Sequence, residues 1–196
     1  MMVFVTGGVR SGKSSWAERF CIERAKQKMS PVHYVATSAI VDSEMEQRIL
    51  LHQKRRVQSG IEWKTIEQQQ HIREVTAHLT GDEIVLIDCL TNLVNNEMFA
   101  DMRTYEQIEY QDELIRSIAK ELHEIDQASD TLVIVSNELA FDTNRFPMVH
   151  SFIRVLNKLH QHLVHHSTLS VMMEAGIPIW KKGVWHERID DSRDGF

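Results

Sequence analysis

One stretch constrains this chain more than any other: Gly7-Gly8-Val9-Arg10-Ser11-Gly12-Lys13-Ser14. It matches G-x-x-x-x-G-K-[ST], a pattern that ordinary residue frequencies produce by accident in about one chain in a hundred of this length. Its flanks sharpen the reading. An apolar run over residues 2–6 leads in, a helical pattern over 14–28 leads out, and Ser30-Pro31 stops that helix. Strand, glycine turn and helix are the context that a phosphate-binding loop requires. Glycines let the main chain turn and bring its N–H groups against phosphate oxygens. The helix that follows adds unsatisfied N–H groups and the positive end of its dipole. Lys13 supplies a point charge for the β- and γ-phosphates, and the Ser14 hydroxyl is placed for Mg²⁺. Arg10 either reaches the γ-phosphate or pairs with a surface acid. The bland alternative is a glycine turn that only caps a helix.

The remaining pattern is that of an α/β fold, a mostly parallel central sheet flanked by helices. Runs at 32–37, 84–88 and 132–136, like 2–6, are nearly continuous in apolar residues, as strands buried on both faces are. A weaker pair covers 170–173 and 177–181, and 61–65 alternates like an edge strand. Helical patterns lie at 44–57, 91–99, 105–127 and 152–166. Strands alternating with helices of this length predict crossovers and a parallel sheet. We expect one domain over residues 1–183 and a charged tail over 184–196.

A phosphate loop works with a carboxylate that holds the metal, usually at the end of a neighbouring buried strand, and Asp88 after Ile84-Val85-Leu86-Ile87 supplies one. The competing reading makes Asp88 or Thr91 the N-cap of the next helix. Glu138 ends another central strand, on the sheet edge where ligands of open α/β sheets bind, and reads as a metal or substrate group or as a helix cap.

Charge narrows the partners. Twenty-two basic and 28 acidic side chains give a net charge of −6, which disfavours broad nucleic-acid binding. No apolar run reaches the length of a membrane span, and the N-terminus lacks a basic leader, so the expected location is cytoplasmic. Cys21 and Cys89 read as buried thiols. His162 and His166 share a helix face, but no Cys or acid accompanies them at ligand spacing, so a solvated or partly packed helix is favoured over zinc. Trp180 and Trp185 read as packing or subunit contacts.

Beyond the loop, the chain carries Tyr34-Val35-Ala36-Thr37-Ser38, Arg48-Ile49-Leu50-Leu51-His52, Trp63-Lys64-Thr65-Ile66-Glu67, Asp88-Cys89-Leu90-Thr91-Asn92 and Val135-Ser136-Asn137-Glu138. In this order and spacing the series resembles the bifunctional adenosylcobinamide kinase/adenosylcobinamide-phosphate guanylyltransferases of cobalamin nucleotide-loop assembly. The resemblance implies a P-loop NTPase of RecA-like architecture and two reactions at one site. One phosphorylates adenosylcobinamide with ATP or GTP. The other moves GMP from GTP to the resulting phosphate through a GMP–histidine intermediate, for which the matching residue is His52. It further implies nucleotide contacts at Gly7, Gly8, Val9, Arg10, Ser11, Gly12, Lys13, Ser14, Val35, Ala36, Thr37, Gln53, Lys54, Arg55, Arg56, Glu67 and Asp88, with Mg²⁺ at Ser14 and Asp88. A homotrimer is implied in the same way.

The residue chemistry is compatible. A neutral imidazole is a competent nucleophile, and Lys54, Arg55 and Arg56 follow it closely enough to neutralise charge on a reacting phosphate. Read without the resemblance, 44–56 is a charged, solvated helix. After Glu138 the chain reads Leu139-Ala140-Phe141-Asp142-Thr143, where the family has a glycine-containing segment. Two other readings therefore stay open: a P-loop kinase without the guanylyl step, and a GTP-binding regulatory subunit.

Overall fold

The computed structural model describes residues 1–38, 56–102, 105–139 and 146–185. In chain order these form β1 (Met2–Gly7), α1 (Lys13–Lys28), β2 (Val32–Ala36), β3 (Trp63–Glu67), a 3-10 helix (Ile72–His78), β4 (Ile84–Asp88), α2 (Leu90–Met98), α3 (Ile108–Ala128), β5 (Thr131–Asn137), α4 (Pro147–His166), β6 (Leu169–Glu174) and β7 (Ile177–Lys182). The charged pattern at 44–57 lies outside the described residues except at its end.

One seven-stranded sheet organises them, in the order β3-β2-β4-β5-β1-β6-β7. Every pairing is parallel except the β6–β7 hairpin. All six residues of β1 are buried, as are the first six of β5, because each strand has a neighbour on both sides and helices on both faces. The 61–65 run was expected at an edge, and β3 is indeed an edge strand, shifted to Trp63–Glu67.

Alternation along the strands divides two cores. Phe4, Val85, Ile87, Leu132 and Ile134 face Leu93 and Met98 of α2, Ile118 and Leu122 of α3, and Leu156 and Leu159 of α4. Val3, Val5, Leu86, Val133 and Val135 face Trp16, Ala17, Phe20 and Cys21 of α1. Trp180 and Trp185 join this second core, their rings 5.9 and 5.6 Å from that of Trp16, so they pack within the chain. Both cysteines are buried free thiols. Burial drives the Cys21 thiol far up and the Cys89 thiol to about 11.

Two helix starts differ from expectation. The pattern placed the last helix at 152–166, but α4 begins at Pro147, whose ring suits the first turn of a helix. The cap of α2 is Cys89, not Asp88 or Thr91, and its side chain makes no cap bond. No helix of the described residues is long and apolar enough to cross a membrane.

Candidate active site

The carboxyl edge of the sheet collects most of the residues singled out above. β1 ends at Gly7 and the chain turns through Gly8, Val9 and Arg10, all exposed, before α1 starts at Lys13. Ser11 N–H closes the turn on the Gly8 carbonyl at 3.2 Å. Two positions in it adopt left-handed backbone, Arg10 at φ 60° and Gly12, the N-cap of α1, at φ 91°. Gly7 is required by space. A Cβ there would run into the Met173 carbonyl and lie 2.6 Å from Ser11 Oγ. Gly176 at the β6–β7 turn donates its N–H to the Ser11 carbonyl at 3.0 Å and so braces the loop from the hairpin.

The loop's electrostatics favour an anion. The first turn of α1 holds no acidic residue and no side chain caps it, so its N–H groups and dipole are left to whatever enters the turn. Lys13 folds back over the turn, its Nζ 3.2 Å from the Gly8 carbonyl, and is largely buried. Ser11 Oγ is buried with no hydrogen-bond partner among the described residues. Asp88 ends β4 on the sheet face that packs α1, since Leu86 and Ile84, two and four residues before it, lie in that core. The Lys13 charge reaches Cys89, the next residue, and opposes the effect of burial on its thiol. Ser14 and Asp88 are half-buried hard oxygen donors on one face, a donor set that suits Mg²⁺ with substrate phosphates and water completing its shell.

The other expected contacts are distributed along the same edge. In register, Glu67 stands beside Ala36 and Ala36 beside Asp88. β3 lies four strands from β1, about 19 Å across the sheet at the usual spacing. Glu67, exposed at that edge, can serve only the far end of a ligand whose phosphates occupy the loop. The strand end over Val35–Thr37, where nucleotide contacts were expected, offers a ligand main-chain groups rather than the Val35 and Thr37 side chains. Val35 is fully buried in the core on the α2–α4 face. Thr37 Oγ1 donates to the Cys89 carbonyl at 2.7 Å and accepts from Cys89 N–H at 2.8 Å. These bonds fix the turn after Asp88, so at this strand end only Ala36 and main-chain groups remain for a ligand. Arg56 is also committed to protein contacts. Its guanidinium lies 3.8 Å over the Tyr34 ring and 3.8 Å from Glu18. The Tyr34 hydroxyl reaches Asp88 Oδ2 at 3.4 Å, and burial with that carboxylate pushes its ionisation far up. His52, Gln53, Lys54 and Arg55 lie outside the described residues.

Several contacts near this edge join residues that nothing in the sequence connects. Thr91, Ser136 and His160 form a buried hydrogen-bonded series behind β5, and Tyr34 touches Asp88. Their separations in sequence match no local motif. Two clefts of about 730 and 370 Å³ lie elsewhere, the first by the 3-10 helix around Arg73 and Glu121, the second between α3 and α4 around His123 and His162. The loop is an exposed turn whose available donors are main-chain N–H groups, so it forms no deep cavity of its own. The His162 and His166 rings stack at 4.1 Å.

Comparison with known proteins gives a family match over residues 3–180, to the family described as cobinamide kinase / cobinamide phosphate guanyltransferase. The bifunctional adenosylcobalamin biosynthesis protein CobU of Escherichia coli (strain K12) is 42% identical over 100 residues, covering 50% of this chain and 51% of that protein. Its namesake in Salmonella typhimurium (strain LT2) is 44% identical over 101 residues, 51% of each chain. The matched segment thus spans about half the length of these two relatives. The bifunctional adenosylcobalamin biosynthesis protein CobP of Pseudomonas aeruginosa is 26% identical over 185 residues, 93% of this chain and 98% of that one. Among solved structures, the flagellar accessory protein FlaH from Methanocaldococcus jannaschii superposes with a TM-score of 0.48 at 13% identity, over 92% of this chain and 77% of that one.

Proposed function

We propose that this chain, which belongs to the cobinamide kinase / cobinamide phosphate guanyltransferase family, performs both reactions of the family's name. In the first, ATP or GTP phosphorylates the hydroxyl of adenosylcobinamide. In the second, GMP passes from GTP to the new phosphate by way of His52, giving adenosylcobinamide-GDP and pyrophosphate. One observation carries the reading: an exposed glycine turn at an uncapped helix N-terminus, with Lys13 folded over it and Asp88 on the same face of the sheet.

The residues divide the work by position. Main-chain N–H groups of 8–14 and the Lys13 ammonium hold the β- and γ-phosphates in the first reaction and the departing pyrophosphate in the second. Ser14 and Asp88 hold Mg²⁺, which would neutralise the charge that develops on phosphate oxygens. Glu67 serves the nucleoside end. Gln53, Lys54 and Arg55 follow His52 and meet the α-phosphate with it. Arg56, stacked on Tyr34, ties the end of that segment to β2, the strand beside the one that ends in Asp88. By the same resemblance the working form is a homotrimer.

The test follows both isotopic positions of GTP. With adenosylcobinamide and Mg²⁺, γ-labelled GTP yields labelled adenosylcobinamide phosphate, and α-labelled GTP yields labelled adenosylcobinamide-GDP. Chelation of the metal stops both. Product from the γ position alone would reduce the protein to a kinase, and product from neither would refute the proposal.

A further inference from the structure

A polar series that the loop motif does not include runs behind the strand between β1 and β4. His160 of α4 sits with its Nε2 2.8 Å from Ser136 Oγ. Ser136 Oγ lies 3.1 Å from Thr91 Oγ1, and Thr91 Oγ1 accepts the Asn137 N–H at 2.7 Å. All three side chains are buried, and the Phe4 ring packs 5.1 Å from the imidazole. Thr6, in register with Ser136 on β1, is buried too, with no partner for its Oγ1 among the described residues. Apolar side chains would fill this space without the cost of desolvating hydroxyls and an imidazole. The series instead gives the end of β5 a fixed position relative to α2 and α4.

What that strand end presents is Glu138. Its N–H donates to the Gly7 carbonyl at 2.9 Å, so the β1–β5 ladder continues one residue past the strand and sets Glu138 beside the first glycine of the loop. The side chain is half-buried. It lies close enough to His160 for its charge to oppose the effect of burial on the imidazole. Asp88, on the adjacent strand, belongs to the α1 face with Lys13, which leaves Glu138 for a different task. Glu174, across β1 on β6, is exposed in the hairpin.

We propose that Glu138 takes the proton of the acceptor hydroxyl during phosphoryl transfer, and that His160, through Ser136 and Thr91, is the positioning residue that holds it in place. The inference rests on the function proposed above. The alcohol oxygen bonds to the γ-phosphorus while the bond from that phosphorus to the β–γ bridging oxygen breaks. The nucleoside diphosphate leaves with the electron pair, and the hydroxyl proton passes to the Glu138 carboxylate. In the guanylyl half the nucleophiles are an imidazole nitrogen and then a phosphate oxygen. Neither is a hydroxyl, so Glu138 belongs to the kinase half alone.

The full chain and three variants decide it, assayed with adenosylcobinamide, Mg²⁺ and GTP labelled at either position. Glu138→Gln lowers kcat for phosphorylation by about 100-fold, the usual worth of a general base. Its KM for GTP stays within about threefold, and α-labelled GTP marks the protein as in the wild type. His160→Leu lowers kcat by about tenfold and speeds hydrogen exchange at the Asn137 amide, because Ser136 and Thr91 lose their anchor. His160→Gln offers Ser136 a partner again and restores both to within about threefold. Unchanged phosphorylation by Glu138→Gln overturns the inference, and so does a parallel loss of protein labelling. A Gln variant as impaired as the Leu variant overturns the role of His160. If the wild type performed neither reaction, the functional reading itself would fall. If it performed both and Glu138→Gln did too, only the inference would.

Discussion

Acidification provides a quantitative test of the buried series, through His160→Gln compared with the wild type. The imidazole has its ordinary value of 6.5 in an unfolded chain and is pushed down to about 4 in the fold, chiefly by burial, with Glu138 opposing. The unfolded state therefore binds the proton first. Stability from this group is intact above about pH 6.5, declines as pH falls through the window between the two values, and stops changing below about pH 4. At about pH 5 the unfolded imidazole is almost fully charged and the folded one mostly neutral, a penalty of about 2 kcal/mol from roughly 1.4 kcal/mol per unit. The full window is worth about 3 kcal/mol. Glutamine retains a partner for Ser136 and does not titrate, so the variant lacks this term. His33, also lowered by burial, and the carboxylates titrate in both proteins and cancel in the difference. Urea denaturation at about pH 7.5 and pH 5 is the assay, and the wild type is expected to lose about 2 kcal/mol more than the variant on acidification. Equal losses in the two proteins would refute the reasoning, since His160 would then titrate alike folded and unfolded.

Other outcomes follow from the loop and its support. Gly7→Ala, whose Cβ meets the Met173 carbonyl and Ser11 Oγ, is expected to cost at least ~2 kcal/mol in thermal denaturation. Gly8→Ala, whose Cβ meets nothing within 4 Å, leaves the melting temperature nearly unchanged. Lys13→Ala weakens GTP binding by about ten- to a hundredfold in calorimetric titration, the worth of a charged hydrogen bond. Thr37→Val breaks both bonds to the Cys89 main chain and destabilises the protein by about 2 kcal/mol in the same denaturation assay.

The parts legible in the sequence are those whose physics is local. The loop announces itself because strand, turn and helix must follow each other directly, and β1 and α1 lie where that order puts them. Ile84–Asp88 was readable because a central strand buries both faces and needs a continuous apolar run. Long-range bonds were not readable. Thr91 looks like a helix cap, yet its hydroxyl holds the Asn137 N–H, 46 residues away. His160 sits among four exposed or half-exposed histidines of α4, and nothing in its spacing distinguishes the one that Ser136 takes into the core. Arg56 reads as one of three consecutive cations, and only the fold places it on Tyr34 beside Glu18. The amphipathic pattern of α4 begins only after its first turn, which carries exposed apolar residues such as Met148.

The central claim is that GTP held at residues 7–14 passes its GMP to His52. Intact-protein mass spectrometry after incubation with GTP and Mg²⁺, without acceptor, tests it most directly. The account predicts a mass gain of one GMP group on the wild type, lost on mild acid treatment and absent from His52→Ala. A wild type without the adduct, or a His52→Ala variant that still carries it, would contradict the account.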